Sequence, residues 1–191
     1  MSATAEFSAT SRRLAPVEPR YASLFCFGLL TAACALASFA FACATPFAAF
    51  AVIAAATLPL PSALLVTAAA WLVNQAIGFG FLHYPVDAST IAWGFVIGAA
   101  ALAATAVSVA VLRATERAGV IVALAAALIG AYAAYELVLF AATPFLGGAG
   151  DFTVAIVGRL GVLSILWTIG LIAACEIARL LNNFLGRKAL S

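Results

Sequence analysis

The sequence predicts an all-α, polytopic membrane protein: six transmembrane helices in one bundle, with both termini cytoplasmic. Three observations carry that expectation. Hydrophobic residues make up 66% of the chain and charged residues 8%, with a mean hydropathy of +1.19. Such values lie outside the range of an ordinary soluble domain. The apolar runs are long and unbroken, unlike the ~10-residue alternating segments of a barrel. On a six-span reading, eight of the nine basic residues fall on one side, and the positive-inside rule makes that side cytoplasmic.

Taken in order, residues 1–20 are polar and include Arg12, Arg13, Pro16, Glu18, Pro19 and Arg20, which suits a short cytoplasmic leader. A secretory signal is the rival reading, because basic residues precede an apolar run. Residues 21–44 are too long for a signal core of ~7–15 residues and long enough to span, so they form the first predicted helix. Thr45-Pro46 breaks the chain. Residues 47–58 are apolar but short, and Pro59 and Pro61 follow, so the second span is expected to be short, tilted or broken. The third helix is predicted over 62–81 and the fourth over 89–112. Arg113, Glu116 and Arg117 form a charged turn. The fifth helix covers 118–142, residues 143–151 form a loop, and the sixth covers 152–181. The membrane domain is thus 21–182, and 183–191 is a polar cytoplasmic tail. A five-span count, merging 47–81 into one bent element, would scatter the basic residues between both sides.

The net charge of +2 carries no nucleic-acid signal, because the basic residues sit at segment ends. Cys26, Cys34, Cys43 and Cys175 lie within apolar runs without CxxC spacing and read as small buried hydrophobes. No nucleophile–base pair, HExxH, P-loop or glycine-rich nucleotide fingerprint is present, so the expectation is a protein that is not an enzyme.

Residues 71–93 gather two of the three tryptophans, the only glutamine and the only histidine. Trp71, Asn74, Gln75 and Gly78 share one helical face at i, i+3, i+4 and i+7. A carboxamide pair at membrane depth is costly without hydrogen-bond partners. One reading is a ligand site at a membrane face. The other is polar glue between helices with an interfacial aromatic belt.

Depth along each span adds further candidates. Glu136 lies about six residues before the outer end of the fifth span and Arg159 about seven residues into the sixth. At ~1.5 Å per residue both are roughly 9–11 Å inward, where they are expected to face each other or a wet cavity. Tyr132, Tyr135 and Glu136 share a face at i, i+3 and i+4. Glu176 is expected to pair with Arg179 at the opposite interface. Asn74, Gln75, His83, Tyr84, Asp87, Trp93, Tyr132, Tyr135, Glu136 and Arg159 all fall in the outer half, and with Trp71 they form the candidate pocket. His83 reads as a solvated loop residue or as a metal ligand. With no second histidine, any metal would have to arrive coordinated by something else.

Length, six spans, inward termini, an outward polar pocket and a first helix with Ala33-x-x-x-Ala37 and Ala40-x-x-x-Ala44 resemble the substrate-binding S-component of an energy-coupling-factor vitamin transporter. Asn74-Gln75-Ala-Ile-Gly78-Phe-Gly80, Tyr84-Pro85 and Trp93-Gly94 are most similar to the cobalamin-type solitary S-components. The resemblance implies a bacterial inner-membrane protein that binds an intact vitamin, cobalamin first, at the outer face and delivers it inward. It implies no intrinsic cofactor, with a transmembrane coupling subunit and ATPase subunits as partners beside the lipid bilayer. Cobalamin-type members are associated with a cobalt-ligating cysteine near the pocket. None lies between Trp71 and Trp93, which leaves His83 as the axial ligand available. Two other classes stay open. One is an accessory subunit of a respiratory or photosynthetic membrane complex. The other is a membrane enzyme working through Glu136, Asp87 and His83.

Overall fold

The computed structural model describes residues 13–41 and 45–188, with side chains at all of these except Asp151 and residues 185–188. The first twelve leader residues, Cys43 and the last three residues lie outside the described residues. Six α-helices follow one another: α1 (Ala22–Phe41), α2 (Phe47–Thr57), α3 (Leu60–Gly80), α4 (Ala88–Ala114), α5 (Val120–Leu146) and α6 (Val154–Lys188). A 3-10 turn at Ala149–Asp151 precedes α6, and there is no strand among the described residues. All helices but α2 are long and apolar enough to cross a membrane. The chain is therefore a helical-bundle membrane protein.

The short helix is the core. All 11 residues of α2 are buried, from Phe47 to Thr57. It touches each of the other five helices. Its sequence, FAAFAVIAAAT, explains why it can sit there. Apolar residues run all the way round, so no face demands water. Six alanines let neighbouring backbones come close, while Phe47, Phe50, Val52 and Ile53 fill the remaining volume. Its length of ~16 Å falls short of a ~30 Å hydrocarbon core, as its flanking prolines foretell.

Hydrogen bonds fix its direction. Beside its start, Asn74 Nδ2 donates to Thr45 Oγ1 (3.0 Å) and to Ser38 Oγ (2.9 Å) near the end of α1. At its far end, Thr57 Oγ1 donates to Cys26 Sγ near the start of α1. So α2 runs back along α1. The backbone N–H groups of Arg13 and Leu14 both donate to Ala56 O, closing that end. The Arg13 guanidinium bonds Leu112 O, Thr115 O and Ala118 O. It thereby satisfies carbonyls that the end of α4 leaves open, where a cation also suits the helix dipole. Val17, Glu18 and Tyr21 share a groove with Asn182 of α6, so these segments occupy one end of the bundle with Arg113. We call it the Arg113 end, and the opposite one the Asp87 end.

Two boundaries differ most from the expectations. The predicted loop at 143 starts later, because α5 continues through Pro144 to Leu146. Pro144 has no N–H for the carbonyl of Phe140, but Thr143 Oγ1 donates to that carbonyl instead (2.8 Å). The predicted tail after 182 is helical as far as Lys188. Leu180, Leu181 and Phe184 carry the apolar character of α6 past Asn182 and Asn183, and the expected Glu176–Arg179 pair forms at 2.6 Å.

α4 and α5 pack along most of their length, whereas α5 and α6 meet at few points. α6 leans on the central α2 instead. This arrangement leaves a wedge between α5 and α6 at the Asp87 end.

Candidate functional site

The wedge encloses a cavity of about 420 Å³. Four helices shape it. Thr45 and Pro46 before α2 and Phe47 at its start contribute; α4 contributes Thr90, Trp93 and Ile97; α5 contributes Tyr132, Tyr135, Glu136 and Leu139; Phe152 before α6 and Ile156, Val157, Leu160, Leu163 and Ser164 within it line the cavity as well. The walls are mostly apolar and aromatic. Tyr135 is buried and stacks on Phe47, with ring centroids 6.3 Å apart and planes at 30°. Tyr132 ties the two sides of the wedge together. Its hydroxyl donates to Val157 O at 2.6 Å, and its ring lies against Gly161 of α6.

Glu136 is the one carboxylate among the lining residues, and no Lys, Arg or His is among them. Its Oε1 is buried with no hydrogen-bond partner among the described residues. The nearby Tyr132 phenol has a single proton, already committed to Val157. The N–H groups of Phe47, Ala49 and Phe50 at the start of α2 are taken by the carbonyls of Thr45 and Pro46. Arg159, expected to pair with Glu136, is exposed and forms no ion pair with it. The physical reason is angular. Matched depth puts two residues at one level, but α6 turns Arg159 outward while Ile156, Leu160 and Leu163 face the cavity.

The carboxamides occupy a separate place. Asn74 is buried on α3; its Nδ2 reaches Ser38 and Thr45, and its Oδ1 accepts from Gln75 Nε2 at 3.0 Å. Every polar atom of the Asn74 carboxamide is thus used inside the protein. Gln75 Oε1 lies against Gly94 of α4, 2.5 Å from where a Cβ would stand. Trp71 lies along the same groove. Its Nε1–H donates to Gly94 O at 2.8 Å, and its indole covers Gly98, where a Cβ would meet ring atoms at 2.7 Å. Trp71, Asn74 and Gln75 therefore join helices and do not line the cavity.

The loop residues also stand apart from it. His83 is exposed, with φ 55°, in the left-handed region. It does not line the cavity, so the expected approach to an axial cobalt position has no counterpart there. No three His, Cys, Asp or Glu side chains gather for a metal ion among the described residues. Tyr84 folds over Gly78, its ring edge 2.6 Å from where a Cβ would be, and meets Phe79 edge-on at 6.2 Å. Asp87 is the N-cap of α4: Oδ1 accepts from Thr90 N (2.9 Å) and Oδ2 from Thr90 Oγ1 (3.0 Å). The Thr90 backbone N–H, then its hydroxyl, hold the Asp87 carboxyl below its ordinary value, with a further lowering from the Ser89 backbone.

Of the eleven candidates, then, Trp93, Tyr132, Tyr135 and Glu136 meet at the cavity. Phe47, Phe152 and Ser164 line it without having been expected. Thr45-Pro46 was legible as a break that opens a fully apolar helix, and that break is what brings Phe47 to the cavity. Comparison with known protein families, curated proteins and solved structures finds no match to this chain.

Proposed function

We propose that the protein is a membrane-embedded binding and uptake protein for a vitamin-sized small molecule. In this reading it sits in the bacterial inner membrane with six spans, α2 being the short second one, and both termini cytoplasmic. The Arg113 end is the cytoplasmic end, because Arg13, Arg20, Arg113, Arg117 and Arg179 cluster there or flank it. Ligand enters from the Asp87 end and leaves inward, energised by a separate coupling subunit with ATPase subunits. The observation that carries the proposal is the cavity itself. Its volume of about 420 Å³ falls within the ~300–1,000 Å³ of small-molecule sites, with aromatic walls and few polar groups.

Cobalamin is the first ligand to test. The size of the cavity and its single carboxylate favour something smaller, since a corrinoid carries many amides that would need partners. The experiment is calorimetry of the purified protein with cobalamin, biotin and thiamine, beside uptake of each into vesicles carrying the protein. Micromolar binding with uptake of one of them supports the proposal. Absence of binding by all three at micromolar concentrations removes the vitamin reading. The competing reading, an accessory subunit of a respiratory or photosynthetic membrane complex, draws on the Asn74 cluster, whose hydrogen bonds close within the bundle.

A further inference from the structure

The Glu136 cavity has a chemistry of its own, and it points to one class of ligand. Its lining includes the rings of Phe47, Trp93, Tyr135 and Phe152, of which Phe47 and Tyr135 stack on each other. Aromatic faces carry negative partial charge and attract cations within ~6 Å of the ring centroid. The polar atom that most needs a partner is Oε1 of Glu136, buried without a donor. No group among the described residues donates to that oxygen: the Tyr132 hydroxyl donates to Val157 O at 2.6 Å, and Arg159 is exposed. A carboxylate left so in an apolar site is costly, and a charged or hydrogen-bond-donating ligand removes that cost. An anionic ligand would add a second like charge with no basic residue on the lining to balance it.

We propose that this cavity is an organic-cation site: it takes a small aromatic ammonium compound, with Glu136 as counter-ion and the surrounding rings as the cation-binding and stacking surface. The inference rests on the cavity being the ligand site of the proposed function, and adds the charge of what it holds. Glu136 sets specificity by a difference of affinities. A cation gains the ion pair, a neutral donor gains one hydrogen bond, and an anion meets repulsion.

The test uses the full chain purified in detergent and three probes of matched shape: 2-naphthylmethylammonium, 2-naphthylmethanol and 2-naphthoate. Equilibrium dialysis against protein-free micelles corrects for partition into detergent. In wild-type protein the ammonium should bind at least about tenfold more tightly than the alcohol, and the carboxylate should not bind. Glu136→Gln keeps the side-chain volume and should bring ammonium and alcohol within about twofold of each other. Equal binding of ammonium and alcohol by wild-type protein overturns the proposal, as does an ammonium preference that survives in Glu136→Gln. The wild-type series decides the matter even if the variant fails to fold. Vesicle uptake separates this inference from the one it rests on. A cation preference without uptake upholds the site and removes the transport reading; uptake of ligands without regard to charge overturns the cation site and leaves transport standing.

Discussion

Two polar places lie toward the same end of the bundle, and they are built in opposite ways. Around Asn74 every carboxamide atom has a partner, drawn from α1, the turn before α2 and the neighbouring Gln75. Around Glu136 a buried carboxylate oxygen has none, and it borders a cavity. Sequence alone ranks them the other way, because a carboxamide pair in an apolar helix stands out more than one glutamate. The difference teaches that polarity at membrane depth becomes functional evidence only after its hydrogen bonds have been counted. Satisfied groups hold helices in register. An unsatisfied group beside empty volume is where a ligand's chemistry is missing.

The largest expected effect comes from breaking the satisfied cluster. Asn74→Ala leaves Gln75 Nε2 without its acceptor and the Ser38 and Thr45 hydroxyls without their donor. We expect a loss of about 2 kcal/mol, within the ~1–3 kcal/mol for orphaned buried groups. Binding by the remaining folded protein should change little. A large loss of ligand affinity at unchanged melting temperature would reverse the roles assigned to the two places. Gly98→Ala tests the same region by packing. Its methyl group would meet the Trp71 indole at 2.7 Å, and overpacking of this kind costs ~1–3 kcal/mol.

The cavity should answer in the opposite sense. Glu136→Leu removes a carboxylate with one buried, unpartnered oxygen from an apolar wall, so the ligand-free protein should be as stable or more so, by up to ~1 kcal/mol. Ligand binding should be lost. Marked destabilisation without ligand would mean that Glu136 has a structural partner. Arg159 sharpens this further. Because it is exposed and unpaired with Glu136, Glu136→Ala and Arg159→Ala should add within ~0.5 kcal/mol in a thermal double-mutant cycle. A coupling well above that would restore the pair expected from their depth.

What could be read from the sequence follows from these particulars. Apolar run length located all six helices, since each run is either spanning length or stopped by proline, as at Pro46 and Pro59. The burial of α2 was not legible, because an apolar helix looks alike whether lipid or protein surrounds it. Helical spacing put Tyr132, Tyr135 and Glu136 on one face, and the cavity does contain all three. Spacing could not relate that face to Asn74 or Arg159, because the rotation of one helix against another depends on packing. Asp87 could be taken for a pocket residue from its place in the loop, although an Asp three residues before Thr90 also reads as a helix cap.

That cap provides the smallest effect and a solvent-facing control for the two buried places. Asp87 is exposed, so its carboxylate meets no desolvation comparable to that at Glu136, and donors within its own turn satisfy it. Those donors hold its carboxyl below the ordinary value in the folded protein, the Thr90 backbone N–H contributing most. The folded form thus binds that proton less readily than the unfolded chain. The cap's contribution is fully present above the unfolded value of ~3.9 and is lost as pH falls through the lower folded value. Asn at this position can still cap α4 but does not titrate. Melting curves of wild type and Asp87→Asn, taken from about pH 6 to about pH 3, should stay parallel until the carboxyl begins to protonate. Below that point the wild type should lose more, since the variant's cap does not depend on pH while every other carboxyl is common to both. Ligand affinity should be the same in the two proteins at pH 6, because Asp87 itself lies outside the cavity and Asn can still accept from the backbone N–H of Thr90, which lines it. Curves that remain parallel to pH 3 would show that the cap adds nothing measurable, and a change in affinity would extend the binding site to the loop.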